Sequence, residues 1–169
     1  MQSLVAYSIP FGGLKDGIHQ FDYQIDNDFF SHFPDTPISE GSFRVQVNFD
    51  KKPDVIDVQI QFDGWVKVPC DRCLEIMKMP LSSEAQLLIK FSDDFKEEVE
   101  VIYLPIGTNT WNAAQYIYEF ICLAMPIRKT HDLTDDETCD TTMLSYLDQK
   151  ESNPEENQIW NQLKNIKLN

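Results

Sequence analysis

The chain has 169 residues and a formal net charge of −14, with 28 acidic residues against 14 Lys and Arg. Charge of this sign repels a bare phosphate backbone, which argues against a protein that grips nucleic acid over a broad face. It favours a basic protein partner, unless a local basic patch makes an exception. Apolar residues form 42% of the chain and charged residues 25%, as in globular proteins, so a folded chain is expected rather than global disorder.

Membrane and secreted classes are disfavoured by the sequence. It contains no run of about 18 apolar residues, and its first ten residues lack the charged and apolar regions of a secretory signal. Four cysteines are too few for a disulfide scaffold at this length. We therefore expect a cytoplasmic protein with reduced thiols and no membrane partner, in which a close cysteine pair indicates metal or redox chemistry.

The first part of the chain, residues 1–104, has the alternating apolar pattern of β-strands. The clearest alternation lies on both sides of a turn at residues 51–54, which predicts an antiparallel hairpin. Asp63 and Gly64 predict a further turn. Asp26 or Asn27 is expected to cap a short helix over residues 28–33. The predicted strands cover residues 4–9, 19–25, 43–49, 56–62, 65–68, 83–91 and 99–104.

The second part, residues 111–167, predicts helices. Residues 111–123 carry a broad apolar face and are followed by Pro126, which marks the end of a helix. One helical segment is expected over residues 142–147, after an acidic loop at about 130–141. The sequence from Asn153 onward begins like a helix and contains an apolar stripe, which would either dock on the domain or bind a partner.

Two cysteines separated by two residues, Cys70 and Cys73, predict a knuckle in which both sulfurs face one ion. A structural zinc takes four ligands, and His131 with Cys139 could fold back as the second pair. Their spacing of eight is wider than usual, so a knuckle without metal and a redox dithiol remain alternatives. The redox alternative is disfavoured because the pair follows a strand of a β-meander rather than of a βαβ unit. Cys122, on the apolar helix, is interpreted as a core residue.

The run Phe62-Asp-Gly-Trp-Val-Lys-Val-Pro-Cys70-Asp-Arg-Cys73-Leu resembles the signature of the YceD-like family, bacterial and plastid proteins named for large-subunit ribosomal RNA accumulation. The resemblance extends from about residue 43 to the C-terminus and includes Leu-Ala-Met-Pro-Ile at 123–127. It implies a non-enzymatic role in making or stabilising that RNA. Many members carry a second cysteine cluster after this helix end, so His131 would stand where a cysteine often does and Cys139 would be the last member.

Four residues are candidates for contact with a partner or with RNA: Arg72, Arg128, Lys129 and Trp160. The first three would form a small basic spot if the loop after Pro126 folds back on the knuckle. The alternative for Arg72 is an ion pair with one of the many acids nearby.

These patterns predict an α+β fold, as a single domain over residues 1–169. A bent antiparallel sheet or partly open barrel would have the C-terminal helices packed beside it. No phosphate-binding loop, zinc-protease motif or nucleophile elbow is present, so no enzyme and no small-molecule substrate are expected. The leading hypothesis is a ribosome-biogenesis factor that binds a basic ribosomal protein or immature large-subunit RNA. The alternatives are a metal-stabilised interaction module with an unrelated client, a dithiol oxidoreductase and a metal-dependent hydrolase.

Overall fold

A computed structural model describes residues 4–34, 36–94, 98–134 and 138–151. The strands are β1 (Ser8–Pro10), β2 (Gly17–Ile25), β3 (Glu40–Lys51), β4 (Val55–Pro69), β5 (Ile76–Phe91), β6 (Val101–Leu104) and β7 (Thr110–Asn112). The helices are α1 (Asn27–Phe30), α2 (Ala114–Ala124) and α3 (Thr141–Glu151), with 3₁₀ turns at Leu4–Tyr7 and His131–Leu133. The predicted α+β class is confirmed. Among the described residues, no helix is long and apolar enough to cross a membrane.

The five-stranded sheet has the order β2-β3-β4-β5-β6 and stays open, because its two edge strands do not pair with each other. The pairs from β2 to β5 are antiparallel, as predicted, but β6 runs parallel to β5. Strand β6 pairs only with residues 88–91, the last four residues of β5. After the end of β5 the chain therefore has to go back by only four residues along that strand before it can pair in parallel. The other strands, β1 and β7, form a separate two-stranded sheet.

The turn predicted at Asp63 and Gly64 is wrong, because β4 runs straight through both residues. Gly64 pairs with Phe43 on one side and Leu81 on the other. A Cβ at Gly64 would collide with the Ser42 carbonyl oxygen. The glycine is therefore needed because β3 and β4 approach closely at this point. Glycine within a strand commonly marks such a close approach of two backbones.

The core lies on one side of the five-stranded sheet. Along β3 and β4 every second side chain is buried, as the alternation predicted. Helix α2 packs near this side, where Tyr118 stacks on Phe33 with ring centroids 4.0 Å apart. The prediction that Trp111 begins the helix is wrong, because Trp111 lies in β7 opposite Ile9. The helix begins at Ala114, whose backbone N–H donates to the side-chain oxygen of Asn112. Cys122 is half-buried against the core.

The two longest strands bring the predicted knuckle to the end of the sheet. Strands β4 and β5, of 15 and 16 residues, pair along their whole length up to Pro69 and Ile76. Residues 70–75 are therefore the tip of a hairpin. The helical segment predicted near residue 142 is α3, whereas the helix predicted from Asn153 lies outside the described residues.

Candidate metal centre

Four side chains from two distant parts of the chain converge at the hairpin tip: Cys70, Cys73, His131 and Cys139. Their donor atoms all lie within 4.8 Å of one another. The sulfurs of Cys70 and Cys139 are 3.8 Å apart, and Nδ1 of His131 is 3.5 Å from the sulfurs of both Cys73 and Cys139. The structure thus brings together all four predicted candidates in an arrangement that could hold a metal ion.

The spacing of these donors fits tetrahedral zinc. With Zn–S near 2.3 Å and Zn–N near 2.05 Å, tetrahedral geometry separates two sulfurs by about 3.8 Å and a sulfur from a nitrogen by about 3.5 Å. The three distances given above agree with these values, and the remaining donor pairs lie within 4.8 Å. Three sulfurs and one imidazole nitrogen are also a common structural zinc set, and four protein ligands fill its coordination shell.

The first pair is fixed by the turn at the hairpin tip. The N–H of Leu74 donates to the Cys70 carbonyl at 2.9 Å, and the N–H of Cys70 donates to the carbonyl of Glu75 at 2.8 Å. The N–H of Arg72 points at the Cys70 sulfur at 3.4 Å. Both cysteines are buried, and the turn closes with Leu74 in the left-handed region at φ 65°.

The second pair, His131 and Cys139, lies in the segment between α2 and α3, where the sequence predicts an acidic loop. His131 opens a 3₁₀ turn, and Thr134 holds its carbonyl through both the backbone N–H and the hydroxyl, at 2.9 and 2.8 Å. Thr130 and His131 are both buried, at 2% and 4% exposure. Cys139 lies just before α3, whose first turn is held by the Asp140 carboxylate accepting the N–H of Thr142.

The two halves of the site are joined by a pair of backbone-directed hydrogen bonds that sequence reasoning did not identify. The N–H of Asp71 donates to the Lys129 carbonyl at 2.7 Å, and the Asp71 carboxylate accepts the N–H of Lys129 at 2.6 Å. We call this pair the Asp71–Lys129 clamp. Its only sequence signal is an acid directly after the first cysteine of the knuckle, a position where a carboxylate can accept backbone N–H groups.

The thiols differ in how readily they ionise. Burial acts to raise the pKa of Cys70, but hydrogen bonds from Cys73, Arg72 and His131 to its sulfur outweigh burial and lower the pKa to about 6. Burial and the neighbouring sulfurs of Cys70 and Cys73 raise the pKa of Cys139 to about 11. Cys70 therefore favours the thiolate form, whereas Cys139 needs a bound cation to lose its proton.

The predicted contact residues are distributed unequally around this site. Arg72 is exposed and lines a cavity of about 420 Å³ together with His131 and Cys139. It makes no ion pair with the described residues, so the expected pairing with a local acid is not found there. Arg128 pairs with Asp132 at 3.4 Å, and the ammonium of Lys129 lies 3.7 Å from the Asp71 carboxylate. Trp160 lies outside the described residues.

Residues 58–167 match the protein family described as "Large ribosomal RNA subunit accumulation protein YceD". No curated protein matches the chain, and no solved structure does. The matched range covers well over half of the sequence and contains both halves of the candidate metal centre. The resemblance of the Cys70–Cys73 signature is thereby confirmed, and the chain belongs to the YceD family of large ribosomal RNA subunit accumulation proteins.

Proposed function

We propose that this protein is a non-enzymatic, cytoplasmic factor that promotes the accumulation or assembly of large-subunit ribosomal RNA by binding a basic ribosomal protein. Membership of the YceD family is the observation that carries the ribosomal role. The net charge of −14 favours a basic protein as the direct partner. The whole chain would act as one domain.

The side of the five-stranded sheet opposite the core, which we call the outer face, offers a surface of suitable charge. Between the rung that joins Ile18 to Leu88 and the rung that joins Gln24 to Ser82, five carboxylates accompany one cation, Arg44. The five acids are Asp22, Asp50, Asp57, Asp63 and Glu84. Charge complementarity of this kind accelerates association with a basic protein and weakens as salt rises.

Amide side chains hold several of these carboxylates in place. Gln86 donates to both oxygens of Asp57 at 2.9 and 3.0 Å, and Gln20 donates to both oxygens of Asp22 at 3.1 and 3.0 Å. A carboxylate has about four acceptor sites, so each retains lone pairs for the cations of a partner. Such a surface would shield a basic client until it joins the ribosome.

The metal centre would serve as a structural element of this factor. When bound, zinc would supply a link between the tip of the β4–β5 hairpin and the segment that leads into α3. Cys70, Cys73, His131 and Cys139 would hold it, and the Asp71–Lys129 clamp would orient the two halves. Four protein ligands leave no position for a substrate, which supports a structural role over a hydrolytic one.

A dithiol oxidoreductase is the second candidate, because the pKa of Cys70 is lowered to about 6. Against it, the Cys70 side chain is fully buried, and reactive thiols are usually partly exposed. Thiol-exchange activity of the metal-free protein, lost in Cys70→Ser, would favour this candidate over the ribosomal factor.

The partner is tested by affinity capture from host lysate at low and moderate salt, with a variant carrying Asp22→Asn, Asp57→Asn and Glu84→Gln as the matched control. We expect one basic large-subunit protein to be enriched, to be released as salt rises, and to be absent from the neutralised variant. Equal capture by both forms would contradict the role given to the outer face. Failure of ribosomal components to be captured by either form would favour an interaction module with an unrelated client.

The metal is tested on the same preparation by elemental analysis. We expect one zinc per chain in the parent protein and in Cys122→Ser, which leaves the four candidates intact. The double variant Cys70→Ser with Cys73→Ser should lose the zinc and melt at a lower temperature. Absence of metal from the parent, with an unchanged melting temperature in the double variant, would overturn the assignment.

A further inference from the structure

The outer face changes character toward the hairpin tip. Beyond Asp63 its next rungs place Trp65 opposite Pro80, and Lys67 opposite Lys78. On β3 the same rungs carry Ser42 and Glu40. An aromatic ring and two lysines thus replace the carboxylates that dominate the rest of this face.

One of the two lysines contacts the indole, and the other pairs with an acid. Nζ of Lys78 lies 4.4 Å from the centroid of the Trp65 ring, within the range of a cation–π interaction. Lys67 pairs with Glu40 at 2.7 Å, and both side chains remain more than a third exposed. Arg44, on the rung that follows Trp65 and Ser42, is exposed and makes no ion pair with the described residues.

A groove of about 630 Å³ begins beside this cluster. It is lined by Arg44 and by the amides of Gln24, Gln46 and Gln61, with two carboxylates, Asp22 and Asp63, at its sides. Amides can donate and accept hydrogen bonds on the edges of nucleobases, and carboxylates accept from exocyclic amines. The groove therefore offers polar contacts next to an aromatic surface and three cations.

We propose that this end of the outer face, formed by Trp65, Lys67, Lys78 and Arg44 with the adjoining groove, binds single-stranded RNA. One base displaces the Lys78 ammonium from the face of the Trp65 indole and stacks there. The cations contact the phosphates on either side, and the neighbouring base enters the groove. Stacking on an aromatic ring combined with Lys and Arg along the backbone is the general mode of single-strand binding. The groove shares Arg44, Asp22 and Asp63 with the acidic surface proposed above, whereas Trp65, Lys67 and Lys78 lie outside that surface.

The acids at the far end of the same face are screened from the Trp65 end. Asp57 lies eight residues from Trp65 along β4, or about 26 Å at roughly 3.3 Å per residue. That distance is about three Debye lengths at physiological ionic strength, where the length is about 8 Å. Beside the indole itself, Lys67 and Lys78 face the single carboxylate of Glu40, whereas the adjoining groove sets Arg44 against Asp22 and Asp63. The local positive charge is therefore confined to the Trp65 end of the site.

The arrangement favours RNA over a basic peptide at this end. A peptide rich in Lys and Arg would meet Lys67 and Lys78 beside the indole and be repelled, whereas phosphates would be attracted. Trp65 is also suited to a planar base, because its cross-strand neighbours on this face are Ser42 and Pro80, which are small or flat.

The test uses the full-length, metal-loaded protein and a fluorescein-labelled single-stranded RNA of about ten nucleotides, within the usual site size. We expect anisotropy to report binding and the tryptophan emission to be quenched. Trp65→Ala should weaken affinity by about five-fold or more, since stacking contributes that much per base. Trp65→Phe should retain part of the affinity, because a phenyl ring still stacks. A circular dichroism melt of each variant checks that the protein remains folded.

The cations have a matched control elsewhere on the sheet. Lys78→Gln should weaken binding and reduce the dependence of log K on log salt by about 0.7. Lys52→Gln removes the same charge at the β3–β4 turn, where Lys52 pairs with Asp50 at 3.1 Å, and should leave both quantities unchanged.

Three results would overturn the proposal. One is equal RNA affinity in folded Trp65→Ala and in the parent protein, and another is equal loss of affinity in Lys78→Gln and Lys52→Gln. The third is an absence of RNA binding by the parent protein. The parent could instead bind a basic peptide in a manner abolished by Trp65→Ala. That outcome would assign this end of the face to a protein and would leave the family role untouched.

Discussion

Asp71 and Lys129 are 58 residues apart, yet the carboxylate of Asp71 accepts the backbone N–H of Lys129 at 2.6 Å. The N–H of Asp71 returns a bond to the Lys129 carbonyl at 2.7 Å. This clamp fixes the knuckle relative to the segment that carries His131 and Cys139. The four candidate ligands are therefore positioned by protein contacts as well as by any ion they hold.

The clamp predicts that Asp71→Ala lowers zinc affinity by about 10- to 100-fold, as loss of groups that orient metal ligands generally does. Competition with a chromophoric chelator measures the change. Asp132→Ala is the matched control, because Asp132 forms an exposed pair with Arg128 and such pairs contribute little. Equal zinc affinities for the two variants would show that the clamp does not support the site.

The fourth ligand position should accept sulfur in place of nitrogen. His131→Cys is expected to retain one zinc per chain, because a thiolate is an equally common structural ligand. His131→Ala should lose most of the metal and melt at a lower temperature. Elemental analysis and thermal melting with and without chelator check both expectations. Full zinc content in His131→Ala would remove His131 from the ligand set.

Gly64 is expected to tolerate no side chain. Gly64→Ala would bring a Cβ against the Ser42 carbonyl oxygen and the Phe43 backbone, so we expect a loss of about 2 kcal/mol or more in the free energy of unfolding. Gly13→Ala is the control, since a Cβ there meets nothing within 4 Å. Its effect should stay within about 0.5 kcal/mol, as for other surface substitutions. Urea denaturation of the two variants decides the point, and similar midpoints would contradict it.

Leu74 offers a substitution with the opposite sign. A non-glycine residue in the left-handed region costs about 1–2 kcal/mol, and glycine gives back about 0.5–1 kcal/mol through the flexibility of the unfolded chain. Because Leu74 is 68% exposed and loses little packing, Leu74→Gly should stabilise the protein by about 0.5–1 kcal/mol. Leu74→Ala keeps its Cβ and should give no gain. Denaturation at a fixed zinc concentration compares the free energies of unfolding of the two variants. If both variants were more stable than the parent, the cause would be loss of the exposed leucine side chain and not relief of the backbone conformation.

The hairpin of β3 and β4 could be predicted from the sequence because alternation of apolar residues directly records which face of a strand is buried. The role of Gly64 could not, since Asp-Gly pairs usually mark turns and only the neighbouring strand explains this one. Trp111 was assigned to a helix because its apolar character fits α2 as well as β7, and its partner Ile9 is distant in sequence.

The candidate metal centre was accessible from sequence for a chemical reason. The chain has only four cysteines and three histidines, the usual ligands of structural zinc, so the knuckle of Cys70 and Cys73 left His131 and Cys139 as the main partners. The clamp was inaccessible, because Asp71 is one of 28 acids and Asp and Glu residues on protein surfaces are usually solvated. Only the three-dimensional structure identifies Lys129 as its partner.

The pairing of β1 with β7 has a consequence for synthesis of the chain. Ser8 of β1 is translated early but pairs with Asn112, 104 residues later. At about 5–20 residues per second, β1 waits roughly 5–20 s for its partner strand. Cys139 emerges later still, so a nascent chain passes through a stage in which the Cys70–Cys73 hairpin has been made while β1 and the metal centre are both incomplete. A stalled or truncated chain ending before residue 112 would present an unpaired strand to the surrounding proteins, and such strands are prone to associate.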